Sequence, residues 1–265
     1  MQQAEDFWQE SLALAAILDP LSEQAFATVT QFKAWTIQDV IGHLHLFNHA
    51  ANLSLSGGDH FQTFFEPIRQ GMDGGRSLVE IQYDWLGDLG GRALFDAWYE
   101  TSKLVAENFS AADPKARLKW AGPEMSARSF ISARQMEVWA HGQEIFDILG
   151  AERPEHDRVR NIAHLGVTAY GWTFINRKRE VPQPAPYLKL TAPSGAIWEW
   201  NDPDDRHRLE GSAVEFCQVV TQVRNIADTS LVATGENAER WMAMAQCFAG
   251  QPEDPPAPGT RYRVA

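Results

Sequence analysis

The sequence predicts a mainly α protein, with an antiparallel helix bundle over residues 1–180 and a small α/β domain over residues 185–265. Two observations predict this order. Apolar residues recur at helical spacing through most of the first region, whereas apolar and polar residues alternate after it. Between the two patterns, Pro182, Pro184 and Pro186 punctuate a short segment, which is typical of a linker between domains.

Composition defines the broad class of the protein. The chain has 265 residues, 44% of them hydrophobic, which is enough to bury a sizeable core. We expect a soluble, cytoplasmic protein, because no apolar run could span a bilayer and the N-terminus lacks the basic region of a signal peptide. The net charge of −12 argues against nucleic acid or an anionic membrane as partner. Cys217 and Cys247 lie in apolar helical contexts and are expected to be buried thiols.

Helical periodicity places the helices of the bundle. The predicted segments are 5–18, a helix that begins at Thr36, 61–70, 78–86, 93–109, 126–149 and 156–176. Thr36 and Asp39 have the spacing of a capping box, which predicts where the second helix begins. Gly150 follows the last apolar residue of the sixth segment, where a left-handed cap is usual.

The region after residue 185 predicts a small sheet. Two alternating segments flank Pro193-Ser-Gly195, which indicates a hairpin, and a third strand is expected near Arg208 and Leu209. The predicted elements are strands at 187–191 and 196–200, helices at 211–223 and 238–249, and a strand or turn at 230–233.

The candidate chemistry lies between Arg134 and Glu144, inside the predicted helix 126–149. Glu137 and His141 are four residues apart, so they lie one above the other on one helix face, with Glu144 close beside them. A carboxylate and an imidazole at this spacing can both reach one divalent ion, while a third ligand must come from elsewhere in the chain. A solvated polar face is the alternative, although the neighbouring residues are largely apolar.

Three histidines lie on the predicted helix that begins at Thr36. His43 shares the inward face with Leu44 and Phe47, where a histidine is either a hydrogen-bonded core residue or a metal ligand. His45 is rotated by about 200° from His43. His45 and His49 therefore form a separate pair, which we expect at the surface.

Three motifs together carry a resemblance to a known superfamily. They are W-T-x-x-D-V-x-x-H-L from Trp35, G-P-x-M-S-A-R-S-F from Gly122 and R-x-M-E-x-W-x-H-G-x-E from Arg134. This pattern resembles the DinB and mycothiol-dependent maleylpyruvate isomerase superfamily, and more closely its branch of metal-binding proteins. The resemblance implies a DinB-like four-helix bundle in which His43, Glu137 and His141 ligate a divalent metal, with zinc as the expected ion. The C-terminal region resembles, more loosely, the small sterol-carrier-like domain that follows the bundle in the isomerase.

The resemblance also implies a function. Relatives activate a low-molecular-weight thiol such as mycothiol, bacillithiol or glutathione, which implies a transferase or isomerase acting on a small anionic organic molecule. The partner is then a small molecule, and the chain could also form a homodimer. Arg224 occupies the position of a site-facing arginine in the isomerase, although Val223 replaces the glycine that precedes it there.

The entry to the metal helix adds further candidates. Arg128 and Arg134 could orient a substrate carboxylate, and Ser126 and Glu144 could contact a cofactor, because loops at the mouth of a rigid scaffold often bind ligands. Helix capping and helix-surface roles explain Ser126, Arg128 and Arg134 equally well.

Two other functions are compatible with the sequence. A metal-dependent hydrolase would use the same ligands to activate water. A non-catalytic metal- or lipid-binding module would instead hold an apolar ligand among Trp198, Trp200 and Trp241. Thiol-dependent turnover would favour the transferase or isomerase, whereas copurifying lipid without turnover would favour the binding module.

Overall fold

The computed structural model describes residues 1–265 and divides into two compact units, Met1–Ala151 and Glu152–Ala265. The first unit is mainly helical. Its helices are α1 (Gln2–Leu18), α2 (Ile37–Leu55), α3 (His60–Asp73), α4 (Leu78–Leu86), α5 (Gly91–Ala111) and α6 (Ala127–Ile148). A short hairpin of β1 (Arg117–Leu118) and β2 (Met125–Ser126) precedes α6; the sequence predicted a polar loop from Trp120 into this helix.

Helices α1, α2, α5 and α6 form a four-helix bundle, which confirms the predicted fold class. The amino group of Met1 donates to the carbonyl of Ser110, so the start of α1 meets the end of α5 and the two run antiparallel. Asn108 donates to Asn52, so the ends of α5 and α2 meet and these two run parallel. The bundle was predicted to be antiparallel, and this pair departs from it because α3 and α4 carry the chain back to the start of α2 before α5 begins.

Local signals in the sequence set the helix ends. The predicted capping box is present: the amide of Asp39 donates to Thr36 Oγ1 at 3.1 Å, and the amide of Thr36 donates to Asp39 Oδ2 at 2.8 Å. Ser77 and Glu80 form a second capping box at the start of α4. Gly150 adopts a φ of 65° just after α6, as its predicted role in a left-handed cap requires.

The core of the first unit lies between the four bundle helices. Its largest fully buried side chains include Phe7, Leu14, Trp98 and Phe109. A smaller apolar cluster lies where α3 and α4 cover the remaining face of α2, and it contains Leu46, Ile68 and Ile81. Helix α2 is therefore buried on nearly all sides.

The second unit is a small α/β fold. Its elements are α7 (Arg160–Thr168), α8 (Tyr170–Ile175), β3 (Tyr187–Thr191), β4 (Ile197–Trp200), β5 (Arg208–Ser212), α9 (Ala213–Val220), β6 (Val232–Thr234) and α10 (Glu236–Met242). The sheet order is β4-β3-β5-β6. The predicted hairpin is confirmed, with Leu190 opposite Trp198 in antiparallel β3 and β4. Strand β5 pairs with β3 in parallel and with β6 in antiparallel orientation.

The boundary between the units differs from the predicted one near residue 180. Helices α7 and α8 belong to the second unit, because α7 packs on α9, with Gly166 against Phe216 and Val220. The predicted single helix 156–176 is interrupted at Ala169, and the last helix ends at Met242 rather than near residue 249. Helical periodicity shows which face of a helix is buried but not which core buries it.

Other predictions concern the membrane and the thiols. None of the helices combines the length and the apolar character that a bilayer crossing requires. The two cysteines form no disulfide; Cys217 is buried as predicted, whereas Cys247 is half-buried.

Candidate metal centre

Two bundle helices bring three candidate ligands together. His43 lies on α2, and Glu137 and His141 lie one turn apart on α6. Nε2 of His43 is 3.2 Å from Glu137 Oε2, and Nε2 of His141 is 3.4 Å from the same oxygen. One ligand atom from each of the three residues lies within 4.8 Å of the others. The structure therefore joins the i, i+4 pair on one helix with a histidine 94 residues earlier in the chain.

These three side chains fit a divalent metal ion. Ligand atoms bound at about 2.0–2.2 Å to one tetrahedral ion lie about 3.3–3.6 Å from one another. Both distances from Glu137 Oε2 are close to this range, and two imidazoles with one carboxylate form a donor set that zinc and similar ions accept. A hydrogen-bonded His-Glu-His cluster is the alternative that the same distances allow.

Aromatic rings surround both imidazoles. Trp35 stacks on His141 with an interplanar angle of 8° and a centroid distance of 5.9 Å, and it also contacts His43 at 5.6 Å. Phe32 meets His141 edge-on at 5.1 Å, and Phe47 contacts His43 at 4.9 Å. The buried Nδ1 of His43 has no hydrogen-bond partner, so the contact of Nε2 with Glu137 is the polar interaction that orients this imidazole.

Burial and hydrogen bonding set the charge of the cluster. Burial lowers the pKa of His43 to about 4, which leaves its imidazole neutral at pH 7. Burial also acts to raise the pKa of Glu137, but the hydrogen bonds with His141 and His43 outweigh it and hold the pKa well below the usual range. A neutral imidazole and an ionised carboxylate are the forms in which these groups bind a metal.

A buried arginine lies next to the cluster. Arg134 precedes Glu137 by one helical turn and is 6% exposed. Its Nε and Nη2 donate to Asn48 Oδ1 at 3.2 and 3.0 Å, and Nη2 also donates to the carbonyl of Leu44. Burial lowers the pKa of Arg134 to about 10, so the guanidinium remains charged at pH 7. Asn48 in turn donates to Ser102 on α5 at 2.9 Å, which ties three bundle helices together beside the cluster.

The two candidates at the entry of α6 lie away from the cluster. Ser126 is the N-cap of the helix, where its side chain accepts from the amide of Ser129. Arg128 is exposed and lies nine residues before Glu137. Nine residues are about two and a half turns, so Arg128 is on the opposite side of α6 and about 13 Å away along its axis. The structure does not bring Arg128 to the metal ligands.

The remaining candidates lie further along the chain. Glu144 is buried on the same face of α6 as Glu137 but about 10 Å further along the axis, so it is not one of the three clustered ligands. Arg224 belongs to the second unit, where its Nη1 donates to the carbonyl of Val223 at 3.1 Å. The roles assigned to these two residues stay predictions.

The histidine pair expected at the surface is instead covered. His45 is 9% exposed and meets the tilted ring of Trp85 on α4 at 5.2 Å, and the half-buried His49 lies between Trp85 and Phe64 of α3. The prediction was wrong because it treated α2 as a helix with one buried face, whereas α3 and α4 cover the opposite one.

Sequence reasoning also missed residues around the cluster. Asn48 was not singled out, although a polar residue within the apolar pattern of α2 was a signal that could have identified it. Phe32 had no such signal, because its position depends on a tight turn that contains neither glycine nor asparagine.

The fold and the site together define a class of protein. It is a four-helix-bundle protein in which two imidazoles and a carboxylate form a candidate mononuclear metal centre. Residues 7–146 match the family described as the mycothiol maleylpyruvate isomerase N-terminal domain. The chain belongs to this family, and the resemblance predicted from its motifs is confirmed.

Relatives extend the match over both units. Two uncharacterized proteins from two strains of Mycobacterium tuberculosis are each 35% identical to this chain over 247 residues, which is 93% of this chain and 95% of each relative. Crystal structures of a mycothiol-dependent maleylpyruvate isomerase and of its histidine-to-alanine mutant are similar in fold, with TM-scores of 0.52 and 0.53. Each is 14% identical, and the match covers 82% of this chain and 87% of the isomerase chain.

Proposed function

We propose that this protein is a divalent-metal- and thiol-dependent transferase or isomerase that acts on a small anionic organic substrate. The observation that carries the proposal is the cluster of His43, Glu137 and His141, whose ligand atoms lie within 4.8 Å of one another. Membership of the mycothiol maleylpyruvate isomerase family supports a thiol cofactor, and mycothiol is the thiol that it favours. Zinc is the metal that best suits two imidazoles and one carboxylate.

Three protein ligands suit a catalytic rather than a structural metal, because coordination positions remain for other molecules. A divalent ion at this site would lower the pKa of a low-molecular-weight thiol and so supply its thiolate at neutral pH. The protein's own contribution is to present the imidazole of His43 neutral and the carboxylate of Glu137 ionised. The ring of Trp35 packs against both imidazoles.

An anionic substrate suits the charges near the cluster. Arg134 stays cationic one helical turn from Glu137, and a guanidinium can pair with a carboxylate through two N–H donors. Nε and Nη2 of Arg134 already donate to Asn48 and Leu44, so a substrate carboxylate would meet the two N–H donors of Nη1. Arg128 has no comparable support, because it lies on the other side of α6.

Cobalt substitution tests the proposal. Mycothiol, added to the cobalt-loaded protein, should produce a sulfur-to-cobalt charge-transfer band in the ultraviolet, and this band should be absent in the His141→Ala variant. S-methylated mycothiol is the matched control, because it cannot ionise to a thiolate. If mycothiol, bacillithiol and glutathione all leave the cobalt spectrum unchanged at millimolar concentration, the thiol mechanism fails. Ester or amide hydrolysis by the metal-loaded protein would then indicate the hydrolase, and copurifying lipid without turnover would indicate the binding module.

A further inference from the structure

The segment before α2 forms a turn against the candidate metal centre. The amide of Trp35 donates to the carbonyl of Phe32 at 2.8 Å, and the two residues between them, Lys33 and Ala34, have φ angles of 50° and 57°. This closes a tight turn that places the rings of Phe32 and Trp35 side by side, with centroids 5.0 Å apart. Thr30 closes the base of the turn, because its amide donates to the carbonyl of Trp35 at 2.7 Å.

The backbone conformation of this turn is unfavourable for the two residues that occupy it. Two consecutive positive φ angles are usual for Asn-Gly or Gly-Gly, since a Cβ atom in this conformation crowds the backbone at a cost of about 1–2 kcal/mol per residue. Here Lys33 and Ala34 occupy both positions. Backbone strain of this kind persists where the surrounding structure requires it, and it is concentrated at functional sites. Here the turn places the two aromatic rings next to His141.

Both rings lie where a ligand would reach the cluster. The side chain of His43 is 9% exposed, whereas those of His141 and Glu137 are 15% and 25% exposed. The accessible side of the cluster is therefore that of His141 and Glu137. Phe32 and Trp35 are both half-buried, and both contact the ring of His141.

We propose that Phe32 and Trp35 form an aromatic clamp, which packs against the apolar body of a molecule bound at the metal. This inference rests on the proposed metal centre and adds a property of the small anionic substrate: its metal-binding group is attached to an aromatic or branched apolar body. An apolar body would bury the half-exposed parts of both rings, which a compact hydrophilic ligand would leave in contact with water. A stacked aromatic pair contributes enough beyond its buried area to tighten binding by roughly three- to tenfold.

Two hydroxamates test the clamp independently of any thiol. Acetohydroxamate and benzohydroxamate bind a metal through the same group and differ in the body attached to it. On cobalt-loaded protein, followed by the visible spectrum, benzohydroxamate should bind about tenfold more tightly than acetohydroxamate. In Phe32→Leu and Trp35→Leu this preference should fall to about threefold or less, while the Kd for acetohydroxamate stays unchanged.

Trp8→Leu removes a half-buried tryptophan that pairs with Tyr99 elsewhere in the bundle, and it should keep the full preference. If the rings only hold the imidazoles in place, both hydroxamates weaken together in the Phe32 and Trp35 variants, and the clamp is wrong. Equal affinity of the wild-type protein for the two probes, with a normal cobalt spectrum, also overturns the clamp alone. Failure of cobalt to bind overturns the metal centre, and the clamp with it.

Discussion

Arg134 and Asn48 join α6 to α2 through two hydrogen bonds, from Nε and Nη2 of the guanidinium to one amide oxygen, at 3.2 and 3.0 Å. Asn48 is fully buried, and Arg134 is nearly so. The amide oxygen of Asn48 therefore solvates a buried cation beside the metal ligands. A buried cation requires such partners, because its transfer out of water is costly.

We expect Asn48→Ala to lower the free energy of unfolding by about 3 kcal/mol, because the guanidinium of Arg134 and the hydroxyl of Ser102 both lose a partner. Denaturant titration of the wild-type protein and the variant measures this free energy of unfolding. Asn52→Ala is the matched control, since Asn52 is also on α2 but pairs with Asn108 near the surface, and it should change stability by less than about 0.5 kcal/mol. Equal losses in the two variants would contradict a special role for the Asn48 amide.

The strained turn before α2 gives a second prediction. Ala34→Gly should relieve about 1–2 kcal/mol of backbone strain and add about 0.4–1 kcal/mol of unfolded-state entropy, so the protein should become more stable by about 0.5 kcal/mol. Ala112→Gly, at a φ of −75°, should only destabilise. Thermal unfolding of both variants checks the sign, and a loss of stability in Ala34→Gly would show that the turn is not strained.

Substitutions at two glycines of the second unit distinguish the cost of steric overlap from the cost of backbone strain. Gly235 and Gly195 have φ angles of 83° and 84°, but a Cβ on Gly235 would lie 1.8 Å from the carbonyl oxygen of Arg206, whereas Gly195 faces open space. Gly195→Ala should therefore cost about 1 kcal/mol and Gly235→Ala at least about 3 kcal/mol. Urea unfolding of the two variants measures the difference, and similar costs would contradict the close approach of Gly235 to Arg206.

A buried tyrosine should make stability depend on alkaline pH. Burial raises the pKa of Tyr170 to about 12, and its hydroxyl donates to the carbonyl of Pro182 at 2.8 Å. Because the folded pKa is above the ordinary value of 10, the contribution is complete below pH 10 and is lost as the pH rises from 10 to 12.

Between pH 9 and 11 the wild-type protein should lose about 1 kcal/mol more stability than Tyr170→Phe. Denaturant titrations at the two pH values measure the slope. Tyr262→Phe, which changes an exposed tyrosine, should retain the wild-type slope. A wild-type slope in Tyr170→Phe would show that this hydroxyl is not the group responsible.

Much of the fold could be predicted, because its signals are local. The capping box of Thr36 and Asp39 and the cap at Gly150 each depend on residues within one or two turns. The i, i+4 spacing of Glu137 and His141 is likewise a property of one helix. The inward direction of His43 was visible from periodicity, but its meeting with α6 came only from the family resemblance.

The remaining features depend on long-range packing, which periodicity does not encode. His45 is buried because α3 and α4 return over α2, and the sequence of α2 alone does not reveal that cover. The assignment of α7 to the second unit depends on its partner α9. The turn at Lys33 and Ala34 escaped prediction for a different reason: its residues are not those that its backbone favours.

Metal content tests the central claim most directly. After expression with zinc and extensive dialysis, mass spectrometry should find about one ion per chain in the wild-type protein and in His49→Ala, which alters a histidine on α2 outside the cluster. The Glu137→Ala, His141→Ala double variant should bind almost none, with its helical circular dichroism unchanged, because the ion adds a local constraint. Stoichiometric metal in the double variant, or none in the folded wild-type protein, would contradict the assignment of His43, Glu137 and His141 as the metal ligands.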